Sequence, residues 1–147
     1  RTPILPAMDD FRSQLRGLID SMRAEGVNPV FLVIDSEGAD SIKAARGAES
    51  LEQFKDAVVR AVVSATGGAD AFSYGDERVV AVLGSEWGRL RTFSLIDKLR
   101  RSIPLVGQSF DCFLRPNFDV LEYDDEAGIG ALIAQLTTRR TNEELSA

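Results

Sequence analysis

Apolar residues recur at helical spacing over residues 8–25, through Phe11, Leu15, Leu18, Ile19 and Met22. This spacing predicts an amphipathic helix. Asp9 and Asp10 suit its positive N-terminal end, and Gly26 stops it. The run Pro29-Val30-Phe31-Leu32-Val33-Ile34 is continuously apolar and partly β-branched, as in a strand buried on both faces. Asp35 follows at its C-terminal end. Residues 36–50 are small and polar, with a short helix expected near Ser41–Ala45. A longer helix is expected from Ser50, a plausible N-cap with Gln53 three residues on, to about Thr66. Leu51, Phe54, Ala57, Val58, Ala61 and Val62 form its buried side, and Gly67-Gly68 ends it.

Two short apolar runs then flank Gly75-Asp76-Glu77, the pattern of a β-hairpin with strands near 70–74 and 78–83. Residues 86–103 predict a further helix with Leu90, Phe93, Ile96, Leu99 and Ile103 on its apolar side. Arg89, Arg91, Lys98, Arg100 and Arg101 read as its solvated face. Ser109–Leu114 and Phe118–Tyr123 are expected strands, separated at Pro116-Asn117 by a turn or a break at a sheet edge. Ala127–Thr138 is the last expected helix, followed by a frayed tail.

The inner order is β-α-β-β-α-β. It predicts an α+β, ferredoxin-like domain with a mainly antiparallel central sheet flanked by helices. A chain of 147 residues suits one domain with a real core. The net charge of −6 argues against nonspecific nucleic-acid binding, which needs clustered Lys and Arg. The chain has no His, which removes imidazole acid–base chemistry and His-based zinc sites. Its single Cys112 excludes an internal disulfide and reads as a small buried hydrophobe, alternating with Phe110 and Leu114. No apolar run approaches the ~20 residues of a membrane span and no signal peptide is visible. The expectation is a cytoplasmic domain without membrane contact. The chain starts at Arg1, not Met, and reads as a piece excised from a longer protein.

The candidate chemistry lies in three acids. Palm domains of polymerases and nucleotide cyclases place metal-binding acids at the end of the first strand and on the central hairpin. Asp35 and Asp76-Glu77 stand at those two places. At either position alone an ordinary solvated loop acid is the better reading; together, each at the expected edge of one sheet, they point toward an ancestral metal site.

Over nearly its whole length the chain resembles the GGDEF domain, the diguanylate cyclase fold that makes cyclic di-GMP from two GTP. Leu5-Pro6, Phe11 and Leu15 match the opening L-P…F…L pattern of that family. Ile34-Asp35-Ser36-Glu37 stands on D-x-D, and Phe72-Ser73-Tyr74-Gly75-Asp76-Glu77-Arg78 on R-Y-G-G-D-E-F. Ala131-Leu132-Ile133 and Arg140 match the C-terminal motif. The resemblance implies Asp35 and Asp76 as metal ligands, Glu77 as a remnant of the catalytic acid, and Gly75 and Arg140 as nucleotide contacts.

The departures from the family fall on its chemistry. Tyr74 replaces the first Gly, where only the lack of a Cβ lets backbone pass close to a triphosphate. Arg78 replaces the Phe under the hairpin. Lys43 and Leu51 replace the two guanine-binding residues, and Leu136 replaces a phosphate-binding Lys. The R-x-x-D of the product-inhibition site is replaced by Ala65-Thr66-Gly67-Gly68. The expectation is therefore a degenerate, catalytically inactive GGDEF-like domain that needs no cofactor. It would act through a protein partner or a homodimer in cyclic di-GMP-related signalling. The alternative is a metal-dependent nucleotide-binding or nucleotidyl-transfer domain of altered substrate, with Mg²⁺ at Asp35, Asp76 and Glu77. A third reading is a purely structural dimerisation domain contacting through Trp87, the Arg-rich helix or the Tyr74 tip.

Overall fold

A computed structural model describes residues 8–138 of the chain. The Leu5-Pro6 motif, Arg140 and the tail lie outside the described residues. The elements are α1 (Met8–Ala24), β1 (Pro29–Glu37), α2 (Asp40–Arg46), α3 (Ala48–Thr66), β2 (Asp70–Tyr74), β3 (Arg78–Gly84), a 3₁₀ turn (Ser85–Trp87), α4 (Gly88–Gln108), β4 (Arg115–Glu122) and α5 (Gly128–Thr137).

The four strands form one sheet in the order β2-β3-β1-β4. Each neighbouring pair is antiparallel. This is the expected α+β, ferredoxin-like arrangement. Strand β1 is central, and its alternating side chains enter two cores. Leu32 and Ile34 join Phe54, Val58, Val62, Leu99 and Ile103 from α3 and α4. Phe31 and Val33 join Phe11, Leu15 and Ile19 from α1 and Leu132 and Leu136 from α5. Helices thus cover both faces of the sheet, which is why the β1 sequence is apolar without interruption.

Four local expectations are corrected. Ser50 is not the cap of α3. The helix starts at Ala48, and its N-cap is Gly47 at φ +95°, without a side-chain cap. That positive φ turns the chain sharply between α2 and α3 and favours glycine. Ser109–Leu114 is not a strand. Helix α4 runs on through Pro104 to Gln108, and the following amides bond back onto its end, with the Cys112 N–H donating to the Gly107 carbonyl at 2.9 Å. Groups spent in this way cannot join a ladder. The segment still buries Cys112 and Leu114, and a Cβ at Gly107 would lie 2.6 Å from Leu114.

Pro116 and Asn117 do not form a turn. Both lie in β4, opposite Ser36 and Asp35. Strand β4 is at the sheet edge, where the missing proline N–H costs no interior rung. Finally, Leu90 and Phe93 belong to the exposed side of α4, at 84% and 59% exposure. Thr92, Leu95, Ile96, Leu99 and Ile103 form its buried stripe instead.

This assignment of α4 predicts two unequal substitutions. Leu99→Ala, at a fully buried position, should cost about 2–5 kcal/mol. Leu90→Ala should stay within about 0.5 kcal/mol. Denaturant unfolding of the two variants checks the difference.

Candidate functional site

The β1–β3 register builds the candidate site. Asp35 is paired directly with Arg78 across the two strands, so their side chains share the face that carries α1 and α5. The guanidinium meets the carboxylate side-on. Arg78 Nε donates to Asp35 Oδ1 at 2.8 Å and Nη2 donates to Oδ2 at 3.0 Å. The third donor, Nη1, reaches the Leu136 carbonyl at 2.7 Å. Leu136 lies in the last turn of α5, where backbone carbonyls lack helical partners. Arg78 therefore binds two strands and caps a helix at once. It is only 7% exposed. A buried ion pair stabilises only with good geometry and further hydrogen bonds, and here both are present.

The hairpin tip is a three-residue turn between Tyr74 and Arg78, which are themselves a register pair. Gly75 sits at φ +64° with nothing within 4 Å of where a Cβ would be. Its glycine answers to backbone conformation, not to close approach. Lys55 reaches the turn from α3. Its Nζ donates to the Gly75 carbonyl at 2.8 Å and pairs with Glu52 at 2.9 Å. The Glu77 carbonyl accepts from the Ser36 amide at 2.9 Å, extending the β1 contact by one rung.

The expected metal ligands are not brought together as a donor set. Asp35 has both oxygens engaged by Arg78, while Asp76 is exposed at the tip. Among the described residues, no three His, Cys, Asp or Glu side chains group so as to hold a metal ion. The Ser36 hydroxyl is buried and has no hydrogen-bond partner. As Asp35's neighbour on a strand it faces the opposite side of the sheet, so it adds no donor beside that carboxylate. The residues at this end of the sheet do not fit a divalent cation.

The surrounding replacements fall as follows. Leu51 is 2% exposed and belongs to the core under α3. Lys43 is exposed on α2. The Leu136 side chain is buried in the core under α5. Thr66 and Gly67 form the end of α3, with Gly67 in the left-handed conformation and Thr66 Oγ1 accepting from the Ala69 amide. Tyr74 is half-buried on the same sheet face as Arg78.

Sequence reasoning missed Lys55 and the partners of Arg78. Lys55 carried a readable signal, since it lies four residues after Leu51 and four before Val59, inside the buried stripe. Arg78 could have been matched to Asp35 from the offsets of the hairpin, but its bond to the α5 carbonyl has no counterpart in sequence. Replacing Lys55 by Met would keep the stem and remove the donor. The expected result is a loss of about 1 kcal/mol from the missing hydrogen bond to the Gly75 carbonyl and faster amide hydrogen exchange at residues 75–77.

No family model matches the chain, and no curated protein sequence does. Solved structures do resemble it. A sensory box/GGDEF family protein from Caulobacter crescentus superposes with a TM-score of 0.58 at 14% identity, covering 88% of this chain and 86% of that one. The GGDEF domain of DgcB from the same organism, solved in complex with c-di-GMP, gives a TM-score of 0.56 at 16% identity, covering 85% and 79%. The chain has a GGDEF-like fold.

Proposed function

We propose that this GGDEF-like domain makes no cyclic di-GMP and works as a regulatory or protein-interaction module in cyclic di-GMP-related signalling. The signalling context is supported by the fold, which it shares with a GGDEF domain solved in complex with c-di-GMP. The single observation that carries the loss of catalysis is the side-on pairing of Arg78 with Asp35. A divalent metal in such a reaction stabilises charge on the transferring phosphoryl group and activates the attacking hydroxyl. An arginine supplies charge but has no open coordination position.

Other residues point the same way. Tyr74 stands at the position where the family needs a glycine beside the triphosphate. Leu51 buries an apolar side chain where a base would require hydrogen-bonding groups. The turn at Thr66-Gly67 replaces the R-x-x-D of the product-inhibition site. A module of this kind keeps its sheet and hairpin and acts through its surface, with a protein partner or a second copy.

Incubation of the purified domain with GTP and Mg²⁺ or Mn²⁺ should yield no cyclic di-GMP above a protein-free control, as followed by chromatography. Steady product formation would overturn the proposal. Binding of a nucleoside triphosphate with metal, seen by calorimetry without turnover, would favour the nucleotide-binding alternative.

A further inference from the structure

We infer that the cleft between α4 and β4 receives an acidic amphipathic helix of a protein partner. This rests on reading the domain as a protein-interaction module, and it names the surface and the chemistry of the partner. The walls of the cleft include Arg89, Phe93 and Arg100 of α4 and Phe118, Val120 and Glu122 of β4, and it holds about 990 Å³.

On the face that carries α3 and α4, the inner strand is sealed: Leu32 and Ile34 of β1 are fully buried. Their register partners on β4, Val120 and Phe118, are not. Val120 is 42% exposed and Phe118 is half-buried. Leu90 and Phe93, one turn apart on α4, add apolar area that the fold leaves in water. The outer edge of β4 is poorly suited to a further strand. The Tyr123 N–H donates to the Pro29 carbonyl, so by alternation Pro116, Phe118, Val120 and Glu122 turn their backbone groups outward. Of these, Pro116 has no N–H, and the Val120 N–H donates to Asp119 Oδ1 at 3.0 Å. A helix, which satisfies its own backbone, suits the cleft better than a strand.

Charge selects the partner. Helix α4 carries Arg89, Arg91, Lys98, Arg100 and Arg101 against Asp97, all exposed, a net charge of +4. The whole chain is −6, so the remaining residues sum to −10. Positive charge is thus concentrated on the helix whose apolar side chains stand uncovered beside the cleft. Two of its cations are held in place. Arg91 stacks over the Trp87 ring at 3.6 Å and Arg100 lies over the Phe118 ring at 5.4 Å. Side chains fixed in this way lose little freedom when a partner binds. A helix with an apolar stripe toward Phe93 and Val120 and carboxylates toward α4 complements both features. An anionic membrane fits less well, since a flat surface leaves the cleft empty and brings Asp97 and Glu122 against like charge.

Two stapled helical peptides of about 18 residues, about 27 Å long, test this. One carries a Leu stripe flanked by Glu, and its twin carries the same stripe flanked by Lys. Fluorescence anisotropy with the full chain should show saturable binding of the Glu peptide, about tenfold tighter than the Lys peptide and weakened by salt. Amide chemical-shift changes should centre on α4 and β4. Leu90→Ser and Phe93→Ser alter exposed side chains and should leave the unfolding midpoint in place, while each weakens binding about tenfold. Lys98→Glu combined with Arg101→Glu should turn the preference toward the Lys peptide. Absence of saturable Glu-peptide binding, or binding that both serine variants leave unchanged, would overturn the inference. So would binding to phosphatidylglycerol vesicles that Phe93→Ser abolishes. Each of those outcomes leaves the non-catalytic reading standing. Cyclic di-GMP synthesis by a chain that still binds the Glu peptide through α4 would overturn the functional reading and leave the docking surface intact.

Discussion

The antiparallel register of β1 against β3 is the constraint on which the rest depends. Strand β1 lies inside the sheet, with neighbours on both edges and helices on both faces. A slip of one residue would exchange its two sets of side chains between the cores. Phe31 and Val33 would then face α3 and α4, whose surfaces are shaped for Leu32 and Ile34. That penalty holds the register, and the register brings Asp35 opposite Arg78 at the end of the pairing.

The electrostatics of that end follow from its burial. Arg78 is almost fully enclosed, so its charge carries a desolvation cost that a single contact would not offset. Two bonds to one carboxylate and a third to a helix-terminal carbonyl satisfy three of its nitrogens. The pair is therefore part of the structure rather than a loose surface ion pair. It joins β1, β3 and α5 at one end of the sheet.

The hairpin is kept in a similar way. Gly75 retains its residue type because the turn needs a positive φ. Lys55 fastens the turn from α3 through the Gly75 carbonyl. The Glu77 carbonyl and the Ser36 amide add a backbone contact beside it. The glycine of the turn is thus explained by backbone geometry.

Much of the fold was legible along the chain. The apolar run before Asp35, the stripes of α1 and α3 and the Gly-Asp-Glu turn each specify their element through local periodicity. The misreadings came where local pattern was weak or shared. Leu90 and Phe93 fit a helical stripe as well as Thr92 and Leu95 do, and only packing against the sheet chose between them. Residues 109–114 look like a strand, yet their amides found partners at the end of α4 before any sheet could use them. Pro116 reads as a break until the edge position of β4 makes it harmless. For the site, the sequence by itself determined that Asp35 ends a buried strand and that Tyr74 and Arg78 depart from the motif around the acidic turn. The tertiary structure alone decided that Arg78 turns onto Asp35 and onto a carbonyl 58 residues away. Strand pairing and helix docking bring distant polar groups together, and no local pattern encodes which of them will share one charge.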